Sequence, residues 1–223
     1  LSPDLDVVGS VGASEDHFAV VGPLVSGRVA RILAGLGDLV RKGQILAELE
    51  SSEVGEAQAA YLTARARLNA SQANLRREND LAAKRISPER DREMAVAQAE
   101  SEKASLNAAE DRLRAMGLSR ADIDAIERGG MVAGRLPIRA SITGTVIERK
   151  VTLGQAVERG TDAFKIADLR VLWVLLDIYE KDLAKVHVGQ AVQIRTEAYR
   201  GATFEGKVAY IGQVIDAETR TAK

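Results

Sequence analysis

The sequence contains no cysteine and few aromatic residues, and its charges of opposite sign nearly cancel. Without cysteine, these 223 residues cannot form disulfides, thiolate metal sites or a catalytic thiol. Aromatic residues make up only 4%, too few for a row of base-stacking platforms. Lysine and arginine number 31 and aspartate and glutamate 32, whereas nucleic-acid binding requires a clustered basic excess. We therefore expect no nucleic-acid partner.

Long apolar segments and catalytic motifs are also missing. The longest strongly apolar run, residues 171–176, is far shorter than the roughly 20 residues that span a bilayer. No basic start followed by an apolar stretch is present, so no signal peptide is visible. The sequence has neither a Gly-x-Ser-x-Gly elbow nor a phosphate-cradling loop. These absences favour a protein that is not an enzyme.

A motif of glycine and valine occurs twice, 117 positions apart. Its five residues return unchanged and without a slip in register, as Gly27, Val29, Gly37, Val40 and Gly43, then Gly144, Val146, Gly154, Val157 and Gly160. Two copies are too few for a solenoid. The repeat predicts one small β-domain in two halves, with a long insertion between them.

The insertion has the pattern of a helical hairpin. Apolar residues recur every seven positions with small residues between them, at Val54, Tyr61, Leu68, Leu75, Ala82 and at Ala57, Ala64, Ser71. This predicts a helix with a narrow apolar stripe from Ser52, its expected cap, to about Ile86. A second helix should follow with Ser87 as its cap and end at Gly117, and Ser119 should cap a short third helix. Two helices of about 30 residues joined so closely form an antiparallel rod of about 45 Å.

The strand and helix patterns divide the chain into five segments. We expect residues 1–12 to form the N-terminal strand of a β-barrel and residues 52–130 the hairpin with its short third helix. Residues 13–51 and 131–167 should form the two β halves, and residues 168–223 an incomplete barrel domain. In this last segment the strand candidates are residues 172–174, 191–194 and 207–211. The predicted fold class is α+β, elongated and multidomain.

Residues 37–49 resemble the signature of biotinyl/lipoyl domains, which consist of two interlocked β halves related by a pseudo-twofold axis. In carrier enzymes a hairpin between the halves presents a lysine to the cofactor. Here about 90 residues take that place, with no lysine at the expected tip. The resemblance implies a split lipoyl-like β-sandwich with no attached cofactor, and a biotinyl or lipoyl carrier is the lesser alternative.

A split lipoyl domain with an inserted hairpin and a following barrel resembles the periplasmic adaptors, or membrane fusion proteins, of tripartite efflux pumps. Residues 166–174 are similar to the segment that joins the two domains in that family. The hairpin start, residues 52–58, and its exit, residues 113–119, look most like the heavy-metal branch that serves resistance-nodulation-division (RND) transporters.

This resemblance implies partners and a location. The protein would link an inner-membrane RND transporter to a TolC-type outer-membrane channel for export of heavy-metal ions. It would work in the periplasm, anchored to or associated with the inner membrane, as a homo-oligomeric ring of three or six subunits. An adaptor of an ABC-type exporter is the alternative.

The resemblance also suggests two groups of site residues. In many adaptors an arginine, a leucine and a serine near the hairpin tip contact the channel, and Arg77, Leu81 and Ser87 match that order. Arg77 and Leu81 are four residues apart and share a helix face. Alternatively, Arg77 is solvated, Leu81 belongs to the stripe and Ser87 only caps the second helix. The second group comprises turn glycines that are candidates for subunit contacts, namely Gly37, Gly43, Gly154 and Gly160.

Metal ligands are sparse in this sequence. His17 and His187 are the only histidines, and Met94, Met116 and Met131 the only methionines. A transition-metal site needs three or four converging ligands. We expect Met94 and Met116 to fill the seam of the second helix instead. The sequence therefore predicts no metal site, no catalytic residues and no cofactor.

Overall fold

The structure is a computed structural model that describes residues 5–13, 17–212, 214–216 and 219–223. It contains two compact units: a sandwich–hairpin unit, Asp16–Leu169, and a barrel-type unit, Leu1–Glu15 with Arg170–Lys223. Residues 1–4 of the predicted N-terminal strand lie outside the described residues.

The helices are α1 (Ser52–Ala83), α2 (Glu89–Ala115) and α3 (Arg120–Glu127). The strands, in chain order, are β1 (Gly9–Ala13), β2 (Phe18–Val21), β3 (Gly27–Ile32), β4 (Leu39–Val40), β5 (Ile45–Glu50), β6 (Arg135–Arg139), β7 (Gly144–Arg149), β8 (Ala156–Val157), β9 (Phe164–Ala167), β10 (Leu172–Leu176), β11 (Ile178–Tyr179), β12 (Ala191–Arg195), β13 (Thr203–Lys207) and β14 (Thr221–Ala222).

The sandwich consists of two four-stranded sheets that exchange strands between the halves of the repeat. One sheet has the order β2–β9–β7–β4 and the other β6–β5–β3–β8. Each sheet therefore takes two strands from the segment before the hairpin and two from the segment after it. Because neither half contains a complete sheet, the two halves must fold together.

The 117-residue repeat is visible in the strand pairing. Gly27 pairs with Val157, and Gly144 pairs with Val40, so the two pairs are related by the repeat. A Cβ atom added at Gly27 would lie 2.6 Å from a backbone oxygen, and one at Gly144 would lie 2.5 Å from the equivalent oxygen. The close approach of backbone to backbone explains why glycine begins both copies of the motif.

The turns of the sandwich repeat in the same way. The Gly37 amide donates to the carbonyl of Val146, and the Gly154 amide to that of Val29, both at 2.8 Å. The φ angles of the two glycines are 87° and 80°. Glycine adopts this left-handed region without the penalty that a Cβ atom imposes. The two halves of the repeat therefore have equivalent turns as well as equivalent strand pairs.

A single apolar core joins the sandwich to the base of the hairpin. Sandwich residues such as Val29, Val146 and Phe164 are almost completely buried, and they form one cluster with Tyr61 of α1 and Leu113 of α2. The root of the rod is therefore part of the sandwich core, and burial of these side chains stabilises both.

The hairpin is an antiparallel pair of helices. At 1.5 Å per residue, the 32 residues of α1 and the 27 of α2 correspond to about 48 Å and about 40 Å. The buried stripe predicted for α1 includes Val54, Tyr61 and Leu68, whereas Leu75 and Ala82, closer to the tip, are half-buried. Apolar packing thus weakens along the rod.

Three local expectations about helix ends and packing are wrong. Helix α1 begins at Ser52 with Ser51 in the N-cap position, and no side chain caps it. The N-cap of α2 is Pro88, and no side chain caps this helix; the Ser87 hydroxyl donates to Glu78. Met94 is 60% exposed and so does not fill the seam.

The cap predicted for the third helix is confirmed. The Ser119 hydroxyl accepts from the backbone of Asp122, whose carboxylate accepts from the Ser119 amide in return. This reciprocal arrangement is a capping box. It fixes the first residue of α3 just after the chain leaves α2.

The described residues of the barrel-type unit form three two-stranded antiparallel sheets, β1–β10, β11–β14 and β12–β13, without closing into a barrel. The strand predicted at residues 207–211 is wrong, because β13 ends at Lys207. Lys207, the last residue of β13, pairs with Ala191, the first residue of the antiparallel strand β12. Beyond Lys207, β12 therefore has no further residue with which β13 could pair. Among the described residues, no helix combines the length and apolar content needed to cross a lipid bilayer.

Candidate functional site

The tip of the hairpin is a tight backbone turn. The Ile86 amide donates to the Leu81 carbonyl at 3.0 Å, and the Arg85 amide donates to the Ala82 carbonyl at 2.9 Å. These two bonds form a Schellman motif, which usually has glycine in the left-handed position. Here Arg85 occupies it with a φ of 58°. The turn therefore accepts a backbone conformation that glycine would adopt at lower energy.

The structure locates the three predicted docking residues at this tip. The Arg77 side chain is 69% exposed, donates to Asn74 Oδ1, and has its Nε 3.8 Å from Glu78 Oε1. Leu81 and Ser87 are half-buried, and the Ser87 hydroxyl donates to Glu78 Oε2 at 2.9 Å. Arg77 and Ser87, ten residues apart in sequence, therefore meet at one carboxylate.

Glu78 is a tip residue that the sequence analysis missed. Its side chain is only 17% exposed. The small seam residues Ala57, Ala64 and Ser71 are seven apart, and the next position in that series is Glu78. A charged residue at a position that should face the partner helix was the available signal.

The turn also exposes apolar and basic side chains. Ile86 is 68% exposed, and Lys84 and Arg85 are exposed beside it. Within the described part of the chain, neither of these basic residues is in a salt bridge. The tip therefore presents an apolar side chain beside positive charge, a combination suited to a surface with carboxylates or carbonyl oxygens.

The base of the hairpin is fastened by a polar cluster around Glu127 of α3. Glu127 Oε1 accepts hydrogen bonds from the Tyr61 hydroxyl and from the Arg65 guanidinium, both on α1. Burial, and after it the neighbouring Glu127 carboxylate, raises the pKa of Tyr61 to about 12. The phenol is therefore protonated at neutral pH and serves as a donor.

Helix α3 is also fastened to α2 and to the sandwich. Glu110 of α2 accepts from Arg120 of α3 at 2.6 Å. On the sandwich side, Arg139 of β6 donates to Asp122 at 2.7 Å. Together with Glu127, these contacts connect α3 to both hairpin helices and to a strand. The root of the rod is thus held by apolar burial and by three polar connections.

The four predicted turn glycines lie on the surface of the sandwich. Each has a positive φ, and a Cβ added to any of them would meet no atom within 4 Å, at Gly37, Gly43, Gly154 and Gly160. The leucines that precede two of them, Leu36 and Leu153, are each 69% exposed. These turns are open surface in the single chain, and their role as subunit contacts stays a prediction.

The described residues include few histidine and methionine side chains that could ligate a transition metal. Across the described ranges, no group of three or more His, Asp or Glu side chains is placed to hold a metal ion. His17 and His187 belong to different units. A groove of about 550 Å³ on the sandwich–hairpin unit is lined by Leu24 and Met116 among others.

The fold and its hairpin define a membrane fusion protein. Residues 17–168 match the family described as "CzcB-like, barrel-sandwich hybrid domain", and residues 171–223 match "CusB-like, beta-barrel domain". The chain belongs to this CzcB-like family. The resemblance to heavy-metal RND adaptors drawn from the sequence is confirmed, as is the α+β fold with a split sandwich and an inserted hairpin.

Individual relatives agree with this assignment. The chain is 29% identical over 215 residues to the cobalt-zinc-cadmium resistance protein CzcB of Cupriavidus metallidurans, covering 96% of this chain and 40% of that protein. Among solved structures, ZneB from Cupriavidus metallidurans is 29% identical with a TM-score of 0.61, covering 96% of this chain and 86% of that one.

A MacA–MexA chimera that contains the Pseudomonas aeruginosa MexA α-hairpin domain is 25% identical with a TM-score of 0.65. The match covers 94% of this chain and 68% of that one. Compared with the Cupriavidus metallidurans CzcB protein, the chain spans less than half of the relative's length.

Proposed function

We propose that this protein is the periplasmic adaptor of a tripartite efflux pump. It would connect an inner-membrane RND transporter to a TolC-type outer-membrane channel and serve the export of heavy-metal ions. The observation that carries the proposal is a helical rod of about 48 Å that is rooted in a sandwich core and exposes Arg77 and Ile86 at its far end. Similarity to a cobalt-zinc-cadmium resistance protein supports the metal-ion substrate class.

The work of such an adaptor is mechanical rather than catalytic. A rod transmits position only if its root does not rotate, and the core contacts of Tyr61 and Leu113 with the Glu127 cluster provide that restraint. At the other end, the Arg77 guanidinium can pair with carboxylate or carbonyl oxygens of a channel. Leu81, half-buried beside the exposed Ile86, adds apolar contact.

We further propose that the sandwiches pack side by side into a ring of three or six subunits around the transporter. The open turns at Gly37, Gly43, Gly154 and Gly160 would contact the neighbouring subunit, with Leu36 and Leu153 as the apolar side chains to be buried. The ring would lie in the periplasm, associated with the inner membrane.

Replacing Arg77 and Leu81 together tests the docking role. In a strain that lacks the native adaptor gene, we expect Arg77→Ala/Leu81→Ala to abolish resistance to cobalt, zinc and cadmium. Cross-linking from a single thiol introduced as Lys84→Cys should report the loss of channel contact, and the 223 residues supply no competing cysteine.

The matched control is Arg67→Ala/Leu62→Ala, which removes an exposed arginine and a 44% exposed leucine from the same helix away from the tip. This variant should keep both resistance and the cross-link. Unchanged resistance with an unchanged cross-link in the tip variant would rule out the docking assignment.

A further inference from the structure

Glu78 lies where two of the three docking residues meet. We propose that it is a positioning residue of the tip: it orients Ser87 and Arg77 so that the outer-membrane channel meets one hydrogen-bond acceptor and one cationic donor. This inference rests on the proposed docking function and names a residue outside the Arg77, Leu81 and Ser87 set.

The first support is the placement of Glu78 on the helix seam. Ala57, Ala64, Ser71 and Glu78 are spaced seven residues apart along the seam of α1. The first three are small, whereas Glu78, the member nearest the tip, places a largely buried carboxylate in the seam. A carboxylate that is 17% exposed loses hydration and requires hydrogen-bond donors in return. The Ser87 hydroxyl supplies one such donor at 2.9 Å, and the Arg77 guanidinium adds an ion pair at 3.8 Å.

The second support is that the single hydroxyl proton of Ser87 is already used in a hydrogen bond. A serine hydroxyl has one proton and two lone pairs. The proton is donated to Glu78 Oε2 at 2.9 Å, so Ser87 can offer only an acceptor to another molecule. The group that meets Ser87 on the channel must therefore be an N–H or O–H donor.

Arg77 complements Ser87 because it can only donate. Its Nη2 donates to Asn74, its Nε faces Glu78 at 3.8 Å, and the 69% exposed guanidinium retains N–H groups for a partner. A matching channel surface would present an acceptor and a donor close together, as the backbone of an exposed helix end or turn does.

Alternatively, a polar residue on a helix seam can act solely by fixing the register of the two helices. The two roles differ in whether the effect of a Glu78 substitution on docking depends on the presence of Arg77 and Ser87. If Glu78 acts through Arg77 and Ser87, its substitution should have no further effect on docking once both are gone. If it acts through the register, its effect should persist.

The experiment measures binding of the purified full-length adaptor to the purified TolC-type channel of the same organism in detergent micelles. We expect Glu78→Ala to weaken binding about 10-fold. Glu78→Gln should retain binding within about 3-fold, because the amide oxygen still accepts from Ser87. In an Arg77→Ala/Ser87→Ala background, Glu78→Ala should change binding less than about 2-fold. These three results together support the proposal.

The matched control is Glu100→Ala on the exposed face of α2, which should leave binding unchanged. Thermal unfolding of each variant separates loss of fold from loss of docking. A full Glu78→Ala effect in the doubly substituted background, or normal binding by Glu78→Ala itself, overturns the positioning role and leaves the proposed function standing. No binding by the unsubstituted adaptor overturns the proposed function and the inference with it.

Discussion

The base of the helical hairpin is buried and its tip is exposed, although the same two helices form both. At the base, Tyr61 and Leu113 are 1% and 0% exposed and belong to the sandwich core. At the tip, Ile86 is 68% exposed and the turn is closed by backbone hydrogen bonds. A carboxylate makes polar contacts at each end. Glu127 joins α3 to α1, whereas Glu78 accepts a hydrogen bond from Ser87 and forms an ion pair with the exposed Arg77.

The difference in burial indicates that the base of the hairpin contributes to stability and the tip to contacts with a partner. Buried apolar area stabilises the base, so substitutions there should act on the free energy of unfolding. Exposed groups contribute little to that free energy, so substitutions at the tip should act on partner binding.

The largest effect should come from Leu113→Ala at the base. Leu113 is fully buried, and truncation would remove transfer free energy and leave a cavity, at a cost of about 2–5 kcal/mol. Leu62→Ala, at a 44% exposed position, should cost less than about 1 kcal/mol. Urea unfolding measures both. Equal effects would mean that the base is not the stabilising end.

A pH-dependent loss of stability should follow from Tyr61. Its pKa is raised from 10.0 to about 12, so the folded state binds the phenolic proton more tightly than the unfolded state. The resulting stability is fully present below about pH 10 and is lost as the pH rises towards about 12. Chemical unfolding at several pH values should show this decline.

Tyr61→Phe should remove that pH dependence and cost about 1–2 kcal/mol at neutral pH, because Glu127 loses a donor. Tyr199→Phe, at an exposed tyrosine, is the control and should leave the alkaline decline intact. An unchanged decline in Tyr61→Phe would show that other groups cause it.

The smallest effect should be a gain in stability at the tip. Arg85 has a φ of 58°, and glycine in that position should raise the free energy of unfolding by about 1 kcal/mol or less. Arg67→Gly, within α1, should lower it by about 1 kcal/mol. Thermal unfolding would show the opposite signs, and destabilisation by Arg85→Gly would contradict the strained geometry of the turn.

The sequence carried the main features of the sandwich because backbone geometry restricts them. Only glycine permits the close approach at Gly27 and Gly144, so the repeat of these glycines predicted one β-domain made of two halves. The helix stripe was readable for the same kind of reason, since burial of Tyr61 and Leu68 follows from their seven-residue spacing.

The polar contacts at the two ends of the hairpin could not be predicted from sequence spacing. Ser87 could equally have capped α2, and its choice of Glu78 depends on the folding back of the hairpin. Tyr61 and Arg65 reach Glu127 across more than 60 residues of sequence, with no motif that marks the pairing. Such contacts depend on three-dimensional placement, which local spacing does not encode.

The division of labour between the two ends is tested most directly by measuring channel cross-linking and the free energy of unfolding on two variants side by side. Arg77→Ala/Leu81→Ala should lose the cross-link from position 84 while its free energy of unfolding falls by about 1 kcal/mol or less. Leu113→Ala should lose about 2–5 kcal/mol yet keep the cross-link under conditions in which it remains folded. A tip variant that cross-links normally, or a folded base variant that does not, would contradict the account.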